Sequence, residues 1–154
     1  MKEARTQATV HVGIDSLWKC LSKDLLSILP QVTPNLVQNA EIIEGDGGLG
    51  SILLLTFGPD VPKMKYQKEK IVELDESLHR IGLQVIEGGH LDLGFTFYKV
   101  SNQLTTISEK QTLVDVMVAY ECETEETVLP SETTASALAW IKGLENYLLS
   151  TDTI

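Results

Sequence analysis

The sequence has only two cysteines, Cys20 and Cys122, in 154 residues. That is too few for a disulfide framework, and their separation is no metal-ligand spacing, so free thiols are expected. Basic residues are also scarce. Twelve Lys and Arg stand against twenty-two Asp and Glu, giving a net charge of −10 with no basic run. Nucleic-acid binders set cations against phosphates, and anionic membranes attract cations in the same way, so neither partner is expected. Long apolar runs are missing: the longest, Ile52 to Phe57, is strand-sized, whereas a bilayer span needs ~18 to 20 residues. No apolar signal region follows Met1-Lys2-Glu3-Ala4-Arg5-Thr6-Gln7, which makes the cytoplasm the expected compartment. The three histidines, His11, His79 and His90, lack the spacing of a zinc site. Neither metal nor cofactor is expected.

What remains is a globular balance, 43% apolar and 22% charged, with neither repeat nor linker, which predicts one domain over 1–154. Thr6 to Val12 alternates as a strand. Asp15-Ser16 offers an N-cap to a short helix through Leu17, Trp18 and Leu21. A second short helix, about Lys23 to Leu29, is predicted to stop at Pro30 and again at Pro34, so the two form a V. Six strands are then predicted: Asn39 to Glu44, Ser51 to Phe57, Tyr66 to Glu73, His79 to Glu87, Phe95 to Gln103 and Thr112 to Glu121. The short turns between them favour antiparallel hairpins. From Pro130, the spacing of Ala137, Leu138, Ile141, Leu144 and Leu148 predicts one long helix, with Trp140 and Tyr147 widening its apolar stripe. The order is that of an α+β fold. One helix of about six turns is too little to fill a curved sheet of six or seven strands, so an apolar hollow between them is expected.

Glu44-Gly45-Asp46-Gly47-Gly48-Leu49-Gly50-Ser51, the Glu87-Gly88-Gly89 turn and the long last helix resemble the plant pathogenesis-related class-10 family. That is the helix-grip fold of the major birch pollen allergen. Leu17-Trp18, Leu21-Ser22-Lys23-Asp24, Tyr66-Gln67-Lys68-Glu69 and Ile81 to Gly89 look like its cytokinin-specific, phytohormone-binding branch. The resemblance implies a curved seven-stranded antiparallel sheet gripping the last helix around an apolar cavity. It also implies a small-molecule partner, trans-zeatin first, with gibberellin or another aromatic metabolite as further candidates. The norcoclaurine synthases are a sister branch with the same loop, and imply a condensing enzyme as the rival reading. A defence-induced protein with a promiscuous cavity is the third.

The glycine-rich loop contains no Gly-Lys-Ser/Thr and runs into a strand rather than a helix, so it is expected to be a tight turn and not a phosphate cradle. On the fourth strand Gln67, Glu69 and Ile71 share one face. If Ile71 faces the core, Gln67 and Glu69 face inward too and need a partner such as a ligand N–H; in the opposite register both face water. The hormone-binding resemblance implies that this Gln and Glu grip the adenine of the ligand. Trp140 is either core filler or the opposite wall, where related binders carry an aromatic with a polar tip. Leu21, Leu55, Phe57, Leu83, Val85, Phe97, Tyr98, Ala137, Ile141 and Leu144 are the remaining candidate lining, with the inward member of each alternating pair left open. His90 and Asp92, on one side if extended, form either an acid–base pair for an enzyme or a polar pair at the cavity mouth. In the synthases a tyrosine and a glutamate occupy this neighbourhood and work with a lysine on the next strand. Here that lysine region reads Asn102-Gln103-Leu104, with Lys99 out of alignment, which weighs against condensation chemistry. A monomer or weak dimer is expected.

Overall fold

The computed structural model describes residues 1–123 and 130–151, the side chains at 130–133 and 151 excepted. In chain order the elements are β1 (Lys2–Val10), α1 (Ile14–Ser22), α2 (Leu25–Val32), β2 (Val37–Glu44), β3 (Ile52–Phe57), β4 (Tyr66–Asp75), β5 (Arg80–Gly88), β6 (Phe95–Ser108), β7 (Gln111–Cys122) and α3 (Pro130–Thr151). A 3₁₀ turn, Gly89–Leu93, joins β5 to β6. The strands form one sheet in the order β1-β7-β6-β5-β4-β3-β2, with every pair for which a register is recorded antiparallel. Consecutive hairpins run from β2 to β7, and β1 returns to pair with β7. Among the described residues no helix is long and apolar enough to cross a membrane. Cys20 and Cys122 are free thiols, the first buried.

Two local readings of the helices are corrected. Gly13, rather than Asp15 or Ser16, is the N-cap of α1; Asp15 lies in the first turn, where its charge suits the amide-rich end. Pro30 lies inside α2 and does not end it. Its ring removes one backbone donor, a tolerable loss in a two-turn helix held by the burial of Leu25, Ile28 and Leu29. The helix ends at Thr33, which has left the helical region (φ −135°, ψ 64°) before Pro34, a residue that disfavours the α conformation in its predecessor.

The glycine-rich loop is a tight turn. Gly45 adopts φ of 90°, and a Cβ there would lie 2.4 Å from Ser51 Oγ, which accepts a hydrogen bond from the Gly47 N–H at 2.9 Å. Register shifts at Lys68/Glu69 and Ile71/Glu73 in β4, and at Phe95/Phe97 in β6, interrupt the ladder and bend these strands locally.

The apolar interior is divided into three clusters. Val10, Leu17, Leu21, Ile81, Val114, Ile141 and Leu144 belong to the largest, under the second half of α3. Val85, Phe95, Tyr98, Val118 and Tyr120 belong to the second, at the other end of the sheet. Leu25, Leu29, Leu53 and Leu55 belong to the third, beneath α2. A helix that buries Ile141 and Leu144 completely but presents Ser136 and Ala137 one turn earlier fills one end of the sheet only. The gap lies where the three clusters meet.

Candidate functional site

That gap is a cavity of about 160 Å³, lined on the sheet side by Leu55 of β3, Gln67 and Glu69 of β4, Ile81, Leu83 and Val85 of β5, and Tyr98, Val100 and Asn102 of β6. Leu21, Leu25 and Leu29 close it from the short helices, and Ser136, Ala137 and Trp140 from α3. Trp140 packs against two of the three clusters while bordering the cavity, so it is both core and wall. A cavity near this size admits one aromatic ring. A two-ring ligand needs more room than that, which only movement of the wall side chains supplies. A wider groove of about 390 Å³ lies beyond the Leu21–Leu25 wall, bounded by Asp46, Gly47 and Gly48 of the glycine-rich loop. It lacks the buried polar groups of the inner cavity.

Gln67 and Glu69 do turn inward with Ile71: Gln67 and Ile71 are buried. The pairings Leu55↔Gln67 and Glu69↔Val85 place both polar side chains between apolar neighbours. Gln67 Nε2 donates to Glu69 Oε1 at 2.5 Å. Gln67 Oε1 accepts from the His90 backbone N–H at 3.3 Å and meets His90 Nδ1 at 2.9 Å. With the amide oxygen as acceptor, the imidazole carries its proton on Nδ1 and leaves Nε2 as an acceptor. Gly89 makes this approach possible: at φ of 51° it brings the turn so close that a Cβ would lie 2.0 Å from Gln67 Oε1. The imidazole stacks on the Tyr98 ring, centroids 3.8 Å apart and planes 12° apart, with Phe95 edge-on at 5.8 Å.

Burial sets the protonation of this chain of groups. Loss of water pushes the Glu69 carboxyl up to about 7, with the Gln67 hydrogen bond opposing. Among the described residues no lysine or arginine lines the cavity to hold the charge. Burial holds His90 down to about 4, so its ring is neutral at physiological pH. Tyr98 is pushed up to about 12, first by burial and further by the Glu69 charge, against a hydrogen bond with Ser136. Near neutral pH the site therefore presents a carboxyl group with a raised proton affinity, a neutral imidazole and a neutral phenol. It can accept hydrogen bonds from a ligand N–H or O–H and exchange protons with it.

Several expected residues stand elsewhere. Asp92 is exposed, because the chain from Gly89 to Leu93 is a 3₁₀ turn and not extended. Residues two apart then point in different directions. His90 faces Gln67, while the Asp92 charge acts on Tyr66 outside the cavity, so the two form no pair. Phe97 lies beyond the β6 register shift, which turns Phe95 and Tyr98 inward instead. Phe57, one step past Leu55 at the end of β3, packs on the cluster beneath α2. Ile141 and Leu144 are fully buried in the largest cluster and leave no surface for the cavity. Lys99 reaches the outer face of the sheet, in an ion pair with Glu73, which Arg80 joins at 3.0 Å.

Asn102 is the residue that the sequence reading passed over. It is buried, it lines the cavity, and its Oδ1 has no hydrogen-bond partner. A buried polar atom left unpaired costs about 1–3 kcal/mol. The available signal was an amide within the inward row Tyr98, Val100, Asn102, Leu104 of β6. Leu25, Leu29, Ile81, Val100 and Ser136 were not singled out as lining either, although Ile81 opens the 81–89 stretch that resembles the hormone-binding branch.

Comparison with known proteins places this arrangement. The chain is 31% identical over 135 residues to norbelladine synthase of Narcissus pseudonarcissus, covering 87% of this chain and 83% of that one. It is 28% identical over 155 residues to pathogenesis-related protein A of Petroselinum crispum, covering 97% and 98%. The structure superimposes, with a TM-score of 0.82 and 29% identity, on norcoclaurine synthase from Thalictrum flavum in complex with dopamine and hydroxybenzaldehyde, covering 99% of this chain and 89% of that one. Residues 2–151 match one family description along nearly the whole fold, and the chain belongs to the pathogenesis-related protein Bet v 1 family.

Proposed function

We propose that this protein binds and carries a small plant hormone or metabolite, first an adenine-type hormone bearing N–H donors such as trans-zeatin, with a gibberellin or an aromatic metabolite next. The observation that carries the reading is Glu69, a carboxylate pointed into an apolar cavity with no cation beside it among the described residues and its pKa raised to about 7. An apolar store has no use for such a group, whereas a ligand N–H relieves its burial. The apolar walls supply affinity, at roughly 25 cal/mol per Å² of apolar surface removed from water. Gln67, Glu69 and Trp140 supply orientation. Calorimetry with trans-zeatin is expected to give micromolar or tighter binding, weakened at least tenfold by Glu69→Gln. Absence of binding to every adenine-type and gibberellin hormone overturns the proposal.

A second reading, a condensing enzyme, is favoured by the relatives that are synthases and by the proton-bearing chain Glu69–Gln67–His90. Against it, no lysine among the described residues lines the cavity. Turnover of dopamine with hydroxybenzaldehyde that Glu69→Gln abolishes would establish it; under the carrier reading the wild type and Glu69→Gln alike leave the pair unreacted.

A further inference from the structure

Two buried side-chain atoms lack a hydrogen bond among the described residues, Arg80 Nε and Asn102 Oδ1. The first lies 3.0 Å from the Glu73 carboxylate on the outer face and is paired by charge. Asn102 has no such compensation. The residue is 6% exposed, its strand neighbours on the inner face are Ile81 and Val116, and it borders the cavity. A native chain keeps an unpaired amide among apolar side chains when something else completes it.

The register fixes where that amide stands relative to the carboxylate. Glu69 pairs with Val85 and Asn102 with Ile81, four residues apart on β5. The two are therefore displaced by roughly 13 Å along the strands and about two strand spacings across them, before side chains reach inward. They are opposite poles of one cavity. Tyr98 and Val100 of β6, with Leu83 of β5, form apolar wall between them.

We infer that Asn102 is a specificity-determining residue that accepts a hydrogen bond from a hydroxyl at the end of the ligand remote from Glu69. The ligand class is a planar N–H-bearing head with a short hydroxylated tail. An alkyl tail of the same length buries Asn102 without a partner, and sites built around a hydroxyl reject analogues that lack it. The inference rests on the adenine-type reading only for the identity of the head group.

The test is a pair of ligands differing by that one hydroxyl, trans-zeatin and N6-isopentenyladenine, titrated into the wild-type chain and Asn102→Leu. The wild type is expected to favour the hydroxylated ligand at least tenfold, and Asn102→Leu to abolish the preference while still binding isopentenyladenine. The ligand-free variant is expected to melt higher than wild type, because an apolar side chain replaces the unpaired amide; a lower melting temperature contradicts the unpaired state. Should neither adenine bind, the carrier reading for adenines fails. The pair 4-ethylphenol and 4-(2-hydroxyethyl)phenol then judges Asn102 independently. Equal affinities within both pairs, or a preference that survives Asn102→Leu, overturn the inference.

Discussion

Glu69 and His90 sit at the two ends of one amide, and burial moves their proton affinities in opposite directions. The raised Glu69 carboxyl gives stability that is complete below its ordinary value of 4.5 and lost as pH rises through about 7. The lowered His90 gives stability that is complete above its ordinary 6.5 and lost as pH falls through about 4. Between about 4.5 and 6.5 the two slopes oppose each other. Glu69→Gln removes one of them. The stability of that variant relative to wild type is therefore expected to climb from pH 4.5 to 7.5 in urea titrations, and parallel curves would refute the assignment. Ligand affinity should move the other way. A ligand N–H needs the ionised carboxylate, so trans-zeatin is expected to bind the wild type more tightly at pH 8 than at pH 6, and Glu69→Gln to bind with little pH dependence over that range.

Among the elements, α3 divides its labour along its length. Ile141 and Leu144 are fully buried in the largest cluster, whereas Ala137, one turn earlier, borders the cavity. Ile141→Ala is expected to cost about 2–5 kcal/mol of stability, read from the denaturant midpoint. Ala137→Leu is expected to do the opposite: it fills the cavity, lowers ligand affinity at least tenfold, and leaves the melting temperature unchanged or higher. Were Ala137→Leu to bind ligand normally, the cavity drawn here would not be the site. β6 is divided similarly, by side. Its inner row Tyr98, Val100 and Asn102 faces the cavity, and its outer residues Lys99 and Ser101 meet Glu73.

For the molecule as a whole, the interior is split into three clusters with a cavity at their junction. A ligand that fills the junction joins all three, and by mass action it stabilises the folded state by about 2.7 kcal/mol at a hundred times its Kd. For a chain of this length that is a rise of roughly 5–10 °C in melting temperature. A thermal-shift screen of adenines, gibberellins and simple phenols should therefore rank ligands directly, with Glu69→Gln flattening the response to the adenines. The net charge of −10 has no part in that ranking for neutral ligands, and added salt should leave it unchanged.

The sequence alone determined the order of elements and the antiparallel hairpins, made a hollow beneath an undersized helix the expectation, and narrowed the facing of Gln67 and Glu69 to two registers. Each of these depends on local periodicity or on turn residues, which one segment carries in itself. The tertiary structure decided the rest. A register shift in β6 selected Tyr98 over Phe97, and a 3₁₀ turn parted His90 from Asp92. Packing of α3 on β1 and β7 consumed Ile141 and Leu144 and left Ala137 at the cavity. The unpaired amide of Asn102 became visible only once its surroundings were fixed. Whether a buried polar group is satisfied depends on atoms brought together from distant parts of the chain, and no spacing along one strand encodes it.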